Sequence, residues 1–229
     1  MSQMKEDASL LVQESLQETV YRLEETRLGF RKSSAEETRK ALNWILGRQG
    51  LKYSYRGLFA PTEKDMAEGL QTLTGEQFPG RNALSRHILG EEALRAIILW
   101  NRSSDPAAVK ALKAYEKIVN LSEDGTFCCY NCTIAFLRTL TAAKVGNWSE
   151  TLYKEIGKIR KKRTSNGRWH GFPFFYTLLA LSEIDVPSAK DELQHASNAA
   201  KKLIKKYKQK DDRTSCFRTL ALEASINAL

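Results

Sequence analysis

The stretch "TLLALSEI" at residues 177–184 decides the fold, because it recurs. A shift of 42 residues lays it on "AFLRTLTA" (135–142), and a second on "ALRAIILW" (93–100). The same shift in the other direction reaches "TLALEASI" (219–226). Gly125 in "EDGTF" falls on Gly167 in "SNGRW", a turn ahead of the helix each time. A further copy, "ALNWILGR" from Ala41, fits if the loop around "LKYSYRGLFAPT" is an insertion, since Ala41 and Ala93 lie 52 residues apart. Each unit pairs an Ala/Leu-rich helix with a longer, more charged one, of which 187–208 is the clearest. Self-similarity at such a period marks stacked α-helical units, and apolar helices suit an inner layer, charged ones an outer layer. The expectation is an all-α, two-layer α/α helical repeat of about five helix pairs with a period near 42, either a partial toroid or a curved solenoid. It forms one domain over 1–229, with 1–32 as an N-terminal outer helix and 33–229 as the repeats.

Working outward, helical apolar spacing predicts a first helix over 6–30, with Leu10, Leu11, Leu16, Val20, Leu23 and Leu28 as its apolar positions. In "SSAEETRKALNWILGRQG", Ser34 and Glu37 have capping-box spacing and Gly50 ends the run. Further helices are expected at about 62–73, across "ALSRHILGEEALRAIILW" with a break at Gly90, and from Pro106 with Asp105 as N-cap. The remaining helices are expected near 130–143, 149–162, 172–184, 187–208 and 214–227.

Apolar residues make up 42% of the chain and charged residues 28%, which excludes disordered and fibrous classes. The N-terminus lacks the pattern of a secretory leader, and no apolar run approaches the ~18 residues of a membrane span. A cytoplasmic protein with reduced thiols is expected. The formal charge of +9 is uneven. Residues 1–150 hold 20 Lys/Arg against 19 Asp/Glu, whereas 151–229 hold 16 against 8. The excess lies in "KEIGKIRKKR" (154–163) and "KKLIKKYKQK" (201–210). Lys158, Arg160, Lys161, Lys162, Arg163, Lys201, Lys202, Lys205 and Lys206 form the expected basic patch, suited to nucleic acid or an acidic partner or, equally, to a solvated helix face.

"NGRW" followed by "FPFFYTLLALSEI", with "DGTFCCYNCTIAFLRTL" before it, resembles the Gly-x-aromatic turn and inner-helix pattern of the terpenoid-cyclase and protein-prenyltransferase α/α toroids. The resemblance covers residues 36–229, with Arg163 where the cyclase turn repeat carries Gln. It implies a toroid-like fold and, from the prenyltransferases, a zinc ion held near the rim by an Asp, a Cys and a His.

Three of the four cysteines, Cys128, Cys129 and Cys132, crowd into one window. Stepping by 42 from Cys128 meets His170 and then Asp212, and stepping by 84 from Cys132 meets Cys216. All stand at starts of expected inner helices, where one rim can gather them. Zinc suits that donor set of Cys128, Cys132, His170, Asp212 and Cys216, while close packing of small thiols and thiol chemistry are the alternative readings of the cluster. Trp169, Phe172, Phe174 and Tyr176 are read as an apolar ligand pocket or as core. Three functions follow: a helical-repeat module binding a protein or small molecule, a zinc-dependent toroid-type enzyme or metalloprotein, and a HEAT-like nucleic-acid binder.

Overall fold

A computed structural model describes residues 9–78, 82–121 and 129–228. These residues form ten α-helices and two two-residue strands, so the chain is all-α as its periodicity indicates. They divide into two compact units, the first from Met1–Leu70 and Gln77–Leu121, the second from Gln71–Glu76 and Ser122–Leu229.

The first unit holds α1 (Leu16–Arg27), α2 (Ala35–Leu46), α3 (Glu63–Glu68), α4 (Asn82–Leu99) and α5 (Pro106–Leu121). The expected box at α2 is present: Ser34 Oγ accepts from Glu37 N, and the Glu37 carboxylate accepts from Ser34 N. Its C-cap is Gly47 rather than Gly50. A second box, Thr62 with Asp65, starts α3. Asp65 also accepts from Ser15 Oγ at 2.6 Å and Leu16 N at 2.8 Å, which fixes the beginning of α1 ten residues later than the apolar spacing suggests. The helix expected over 62–73 ends at Glu68, because Gly69 turns the chain at φ +80 into the short strand β1 (Leu70–Gln71), which pairs with β2 (Gln77–Phe78).

α4 packs against α1, α2, α3 and α5 and is buried on nearly every side, from Leu84 to Ile97. Its buried residues include His87, Glu91 and Arg95, and buried charges need partners: His87 meets Glu91 and Arg95 meets Glu24 on α1. Gly90 does not break α4. A Cβ there would stand 3.1 Å from Leu58 Cβ and 3.3 Å from the Phe59 carbonyl, so the glycine admits the buried loop at Leu58 and Phe59 against the helix.

The second unit holds α6 (Tyr130–Ala143), α7 (Trp148–Arg160), α8 (Phe174–Ser182), α9 (Pro187–Tyr207) and α10 (Arg213–Asn227). α8 packs against α6 and α10, α7 against α9, and the sequential pairs α6/α7, α8/α9 and α9/α10 also touch. The segment 71–76 supplies this unit with a helix cap. α8 follows Pro173, which offers no side-chain cap, and Glu76 Oε1 instead accepts from Phe175 N at 3.0 Å and Tyr176 N at 3.1 Å. The hydroxyls of Thr72 and Thr74 hold the other carboxylate oxygen, and Arg218 Nε donates to the Thr74 carbonyl at 2.7 Å. A carboxylate at a helix N-terminus satisfies orphan donors and opposes the dipole favourably.

Candidate functional site

The basic patch divides into two parts of different character. Around the turn after α7, Lys158, Arg160, Lys162 and Arg163 are engaged by the fold, while Lys161 is exposed. Glu192 on α9 is fully buried and accepts from Arg160 Nε at 3.0 Å, Arg163 Nε at 2.9 Å and Trp169 Nε1 at 2.9 Å. A second bond joins Arg163 Nη2 to Glu192 Oε1, and Arg160 also pairs with Asp191. Lys158 pairs with the buried Glu155 at 2.6 Å, and Lys162 lies over the Tyr130 ring. Within the turn, Arg163 and Trp169 form a backbone bridge, and Gly167, at φ +76, brings the loop so close to α9 that a Cβ would meet the His195 carbonyl at 3.1 Å.

Beyond that network the C-terminal end of α9 is different. Lys201, Lys202, Lys205, Lys206, Lys208 and Lys210 are all exposed. Lys208 pairs with Glu223 at 3.2 Å, and Lys206 lies over the ring of its neighbour Tyr207. Among the described residues, none of Lys201, Lys202, Lys205, Lys206 and Lys210 has an acidic partner within salt-bridge distance. Positions 201, 205 and 208 share one helical face, with 202 and 206 beside it. Two lysines in the last turn suit the helix dipole, but six in ten residues exceed that need, and the unpaired ones repel one another.

The expected metal ligands stand as follows. Cys128 lies outside the described residues. Cys132 is buried in the first turn of α6, and Cys129 is the N-cap residue, with its sulfur 3.6 Å from that of Cys132. His170 is exposed in the turn, its backbone N–H donating to the Lys162 carbonyl at 2.7 Å. Asp212 is the N-cap of α10 and Cys216 lies half-buried one turn on. Against a desolvation that would raise it, the bonds from Ser215 Oγ and Ser215 N hold the Asp212 carboxyl below its usual range. Among the described residues, no three of His, Cys, Asp and Glu gather as a metal-binding group.

Trp169, Phe172, Phe174 and Tyr176 are all buried, none exposing more than 8% of its surface. Ring centres lie 4.6 Å apart for Tyr130 and Phe172, 6.1 Å for Trp169 and Phe174, 5.2 Å for Phe174 and Phe175, and 5.3 Å for Phe175 and Tyr207, while Arg138 lies over the Tyr176 ring. A shallow cavity of about 350 Å³ lies in the first unit, lined among others by Leu42, Trp100, Arg39 and Arg102. Its two arginines are already bound, to Glu36 and Asp105.

One titratable pair was not apparent from the sequence, where His87 stands alone. On α4, His87 Nε2 and Glu91 Oε1 are 3.1 Å apart with both side chains sealed from solvent, and Tyr55 stacks on the imidazole at 4.1 Å. Burial raises the Glu91 carboxyl, with His87 opposing the shift and Glu92 adding to it. Burial, then Glu91, pushes the Tyr115 phenol well up. A carboxyl raised in the folded state binds its proton more tightly there than in the unfolded chain, so its contribution is complete below about pH 4.5 and is lost as pH rises through the folded value. Glu91→Gln removes that linkage. The stability of the wild type relative to Glu91→Gln should therefore fall as pH rises above 4.5, by about 1.4 kcal/mol for each unit of displacement. Urea unfolding at four pH values measures it, and parallel curves would refute the shift.

Among the described residues no helix is long and apolar enough to cross a membrane. No family model matches the chain, and neither does any curated protein or solved structure.

Proposed function

We propose that the protein is a helical-repeat binding module whose partner is a polyanion, held by the lysine-rich end of α9. The observation that carries this reading is the division of the basic patch. Arg160 and Arg163 are bound to Glu192, whereas Lys201, Lys202, Lys205 and Lys206 stand exposed and without an acidic partner among the described residues. The order of neighbours in the second unit supports the repeat: α6, α8 and α10 follow one another side by side, and α7 lies beside α9. Such repeats present extended surfaces for partners. Lysine acts as a mobile point charge, which suits a phosphate backbone better than the planar recognition of a base. The partner is a nucleic acid bound through its backbone, without regard to sequence.

Fluorescence anisotropy with a labelled duplex of mixed sequence tests it. With four to five phosphates engaged, log K falls with log salt at a slope of about −4, a loss of roughly 250-fold between 50 and 200 mM. The variant K201E/K202E/K205E/K206E should keep its helical content and lose most of that binding. Binding insensitive to salt, or equal in the variant, would overturn the proposal. Preference for an acidic peptide over duplex at equal charge would assign the surface to a protein instead.

A further inference from the structure

We infer that Cys129 and Cys132 form a redox-active dithiol that closes to an intramolecular disulfide on reaction with a low-molecular-weight disulfide. The two sulfurs are 3.6 Å apart. A disulfide bond is about 2.05 Å long, so closure requires an approach of roughly 1.5 Å, within the reach of side-chain rotation. Residues three apart on a regular helix have their Cβ atoms about 5–6 Å apart and a disulfide needs about 3.5–4.5 Å, so closure also draws the non-helical N-cap residue Cys129 about 1–2 Å toward the first turn.

The two thiols are unequal. Cys129, the N-cap residue with extended backbone (φ −167), is half-buried, while Cys132 is fully buried. That assigns attack to Cys129 and resolution to Cys132. An anionic sulfur at Cys129 also stands at the positive end of the α6 dipole.

The segment between them is held. Thr133 N and Oγ1 both donate to the Cys129 carbonyl at 3.1 Å. The Tyr130 ring packs on Phe172 and lies against Gly171, where a Cβ would come within 2.6 Å of it, and the Lys162 ammonium covers the ring at 5.6 Å. The pair is thus positioned by its surroundings as well as by sequence spacing.

The reaction balances as ordinary exchange. The Cys129 thiolate attacks one sulfur of RSSR, forming a mixed disulfide and releasing RS⁻. The Cys132 thiolate, its proton passed to solvent or to that RS⁻, then attacks the Cys129 sulfur and expels the second RS⁻. Protein dithiol is oxidised by two electrons and RSSR is reduced to two RSH.

The test uses wild type and the double variant C128S/C216S, which leaves only this pair, each equilibrated with glutathione disulfide and quenched with an alkylating agent. The expected result is a mass lower by about 2 Da, two thiols protected from alkylation, and a cross-linked peptide containing Cys129 and Cys132. The single variant C129S should leave Cys132 reduced. A glutathione adduct that persists on Cys129 without closing would overturn the inference. So would a bridge in wild type that maps to Cys128 or Cys216, or one equivalent of metal that keeps both thiols from reacting. If the double variant does not fold, peptide mapping of the wild type alone decides the same question.

Discussion

Replacing Glu192 by alanine is expected to cost the second unit about 3–5 kcal/mol, the range for breaking a buried charged network by removing one member. The carboxylate is fully buried and serves three donors from the turn after α7: both arginines and the Trp169 indole. Without it the indole N–H loses its acceptor while Trp169 remains 97% buried, and the guanidinium of Arg163, one-third exposed, loses both its bonds to the carboxylate. Arg160→Ala is the contrasting variant. Its side chain is 47% exposed, so solvent screens the pair and the loss should stay within about 1 kcal/mol. Urea unfolding followed by far-UV circular dichroism compares the two. Equal stability of both variants would show that the buried acid does not organise the turn. Because Arg160 is already bound to Glu192 and Asp191, Arg160→Ala should leave the proposed binding of duplex by the lysines of α9 unchanged, provided the variant is folded.

The helices themselves were legible. Ser34 three residues before Glu37 marked the start of α2, and Pro187 to Tyr207 matched the expected 187–208 to within one residue. What failed had local causes in long-range contacts. Nothing near Leu16 in the sequence reveals that Asp65 will cap its helix, and nothing near Gly90 reveals that Leu58 will lie against it. The basic patch was legible as composition but not as chemistry, because the partners of Arg160 and Arg163 lie about thirty residues away on α9. One signal for them was available. Glu192 falls three residues after Ala189 and four before Ala196, on the helix's own buried stripe, where a carboxylate needs a partner. Glu155, between Leu152 and Ile159 on α7, carries the same mark and is also buried and paired. The lone-looking His87 had such a signal too, since Glu91 stands four residues on.

Arg138→Ala is expected to be comparably destabilising, for a different reason. Arg138 is fully buried in α6 and is among the largest such side chains in the chain. Its guanidinium reaches Glu183 through two bonds of 2.8 and 3.0 Å and lies 5.6 Å from the centre of the Tyr176 ring. Truncation therefore removes a charged pair and leaves a void, and large-to-small changes in a core cost about 2–5 kcal/mol. Arg138→Met separates these effects. It refills most of the volume, and Glu183, with 20% of its side chain exposed, can take water in place of the guanidinium, so roughly half the loss should be recovered. Glu183→Leu alone should also be destabilising, because it removes two bonds from a guanidinium with no exposure at all. The double variant Arg138→Met/Glu183→Leu replaces the whole pair by apolar atoms and should be more stable than Glu183→Leu, giving a favourable coupling of more than about 1 kcal/mol. Purely additive losses would mean that the pair is not a unit. In the 42-residue alignment Arg138 coincides with Ala96 and Ala180, small buried residues in α4 and α8. The arginine thus stands where two of the aligned segments carry alanine and the last carries the buried Leu222, and its carboxylate partner is the C-cap residue of α8, so the ion pair joins α6 to the end of α8.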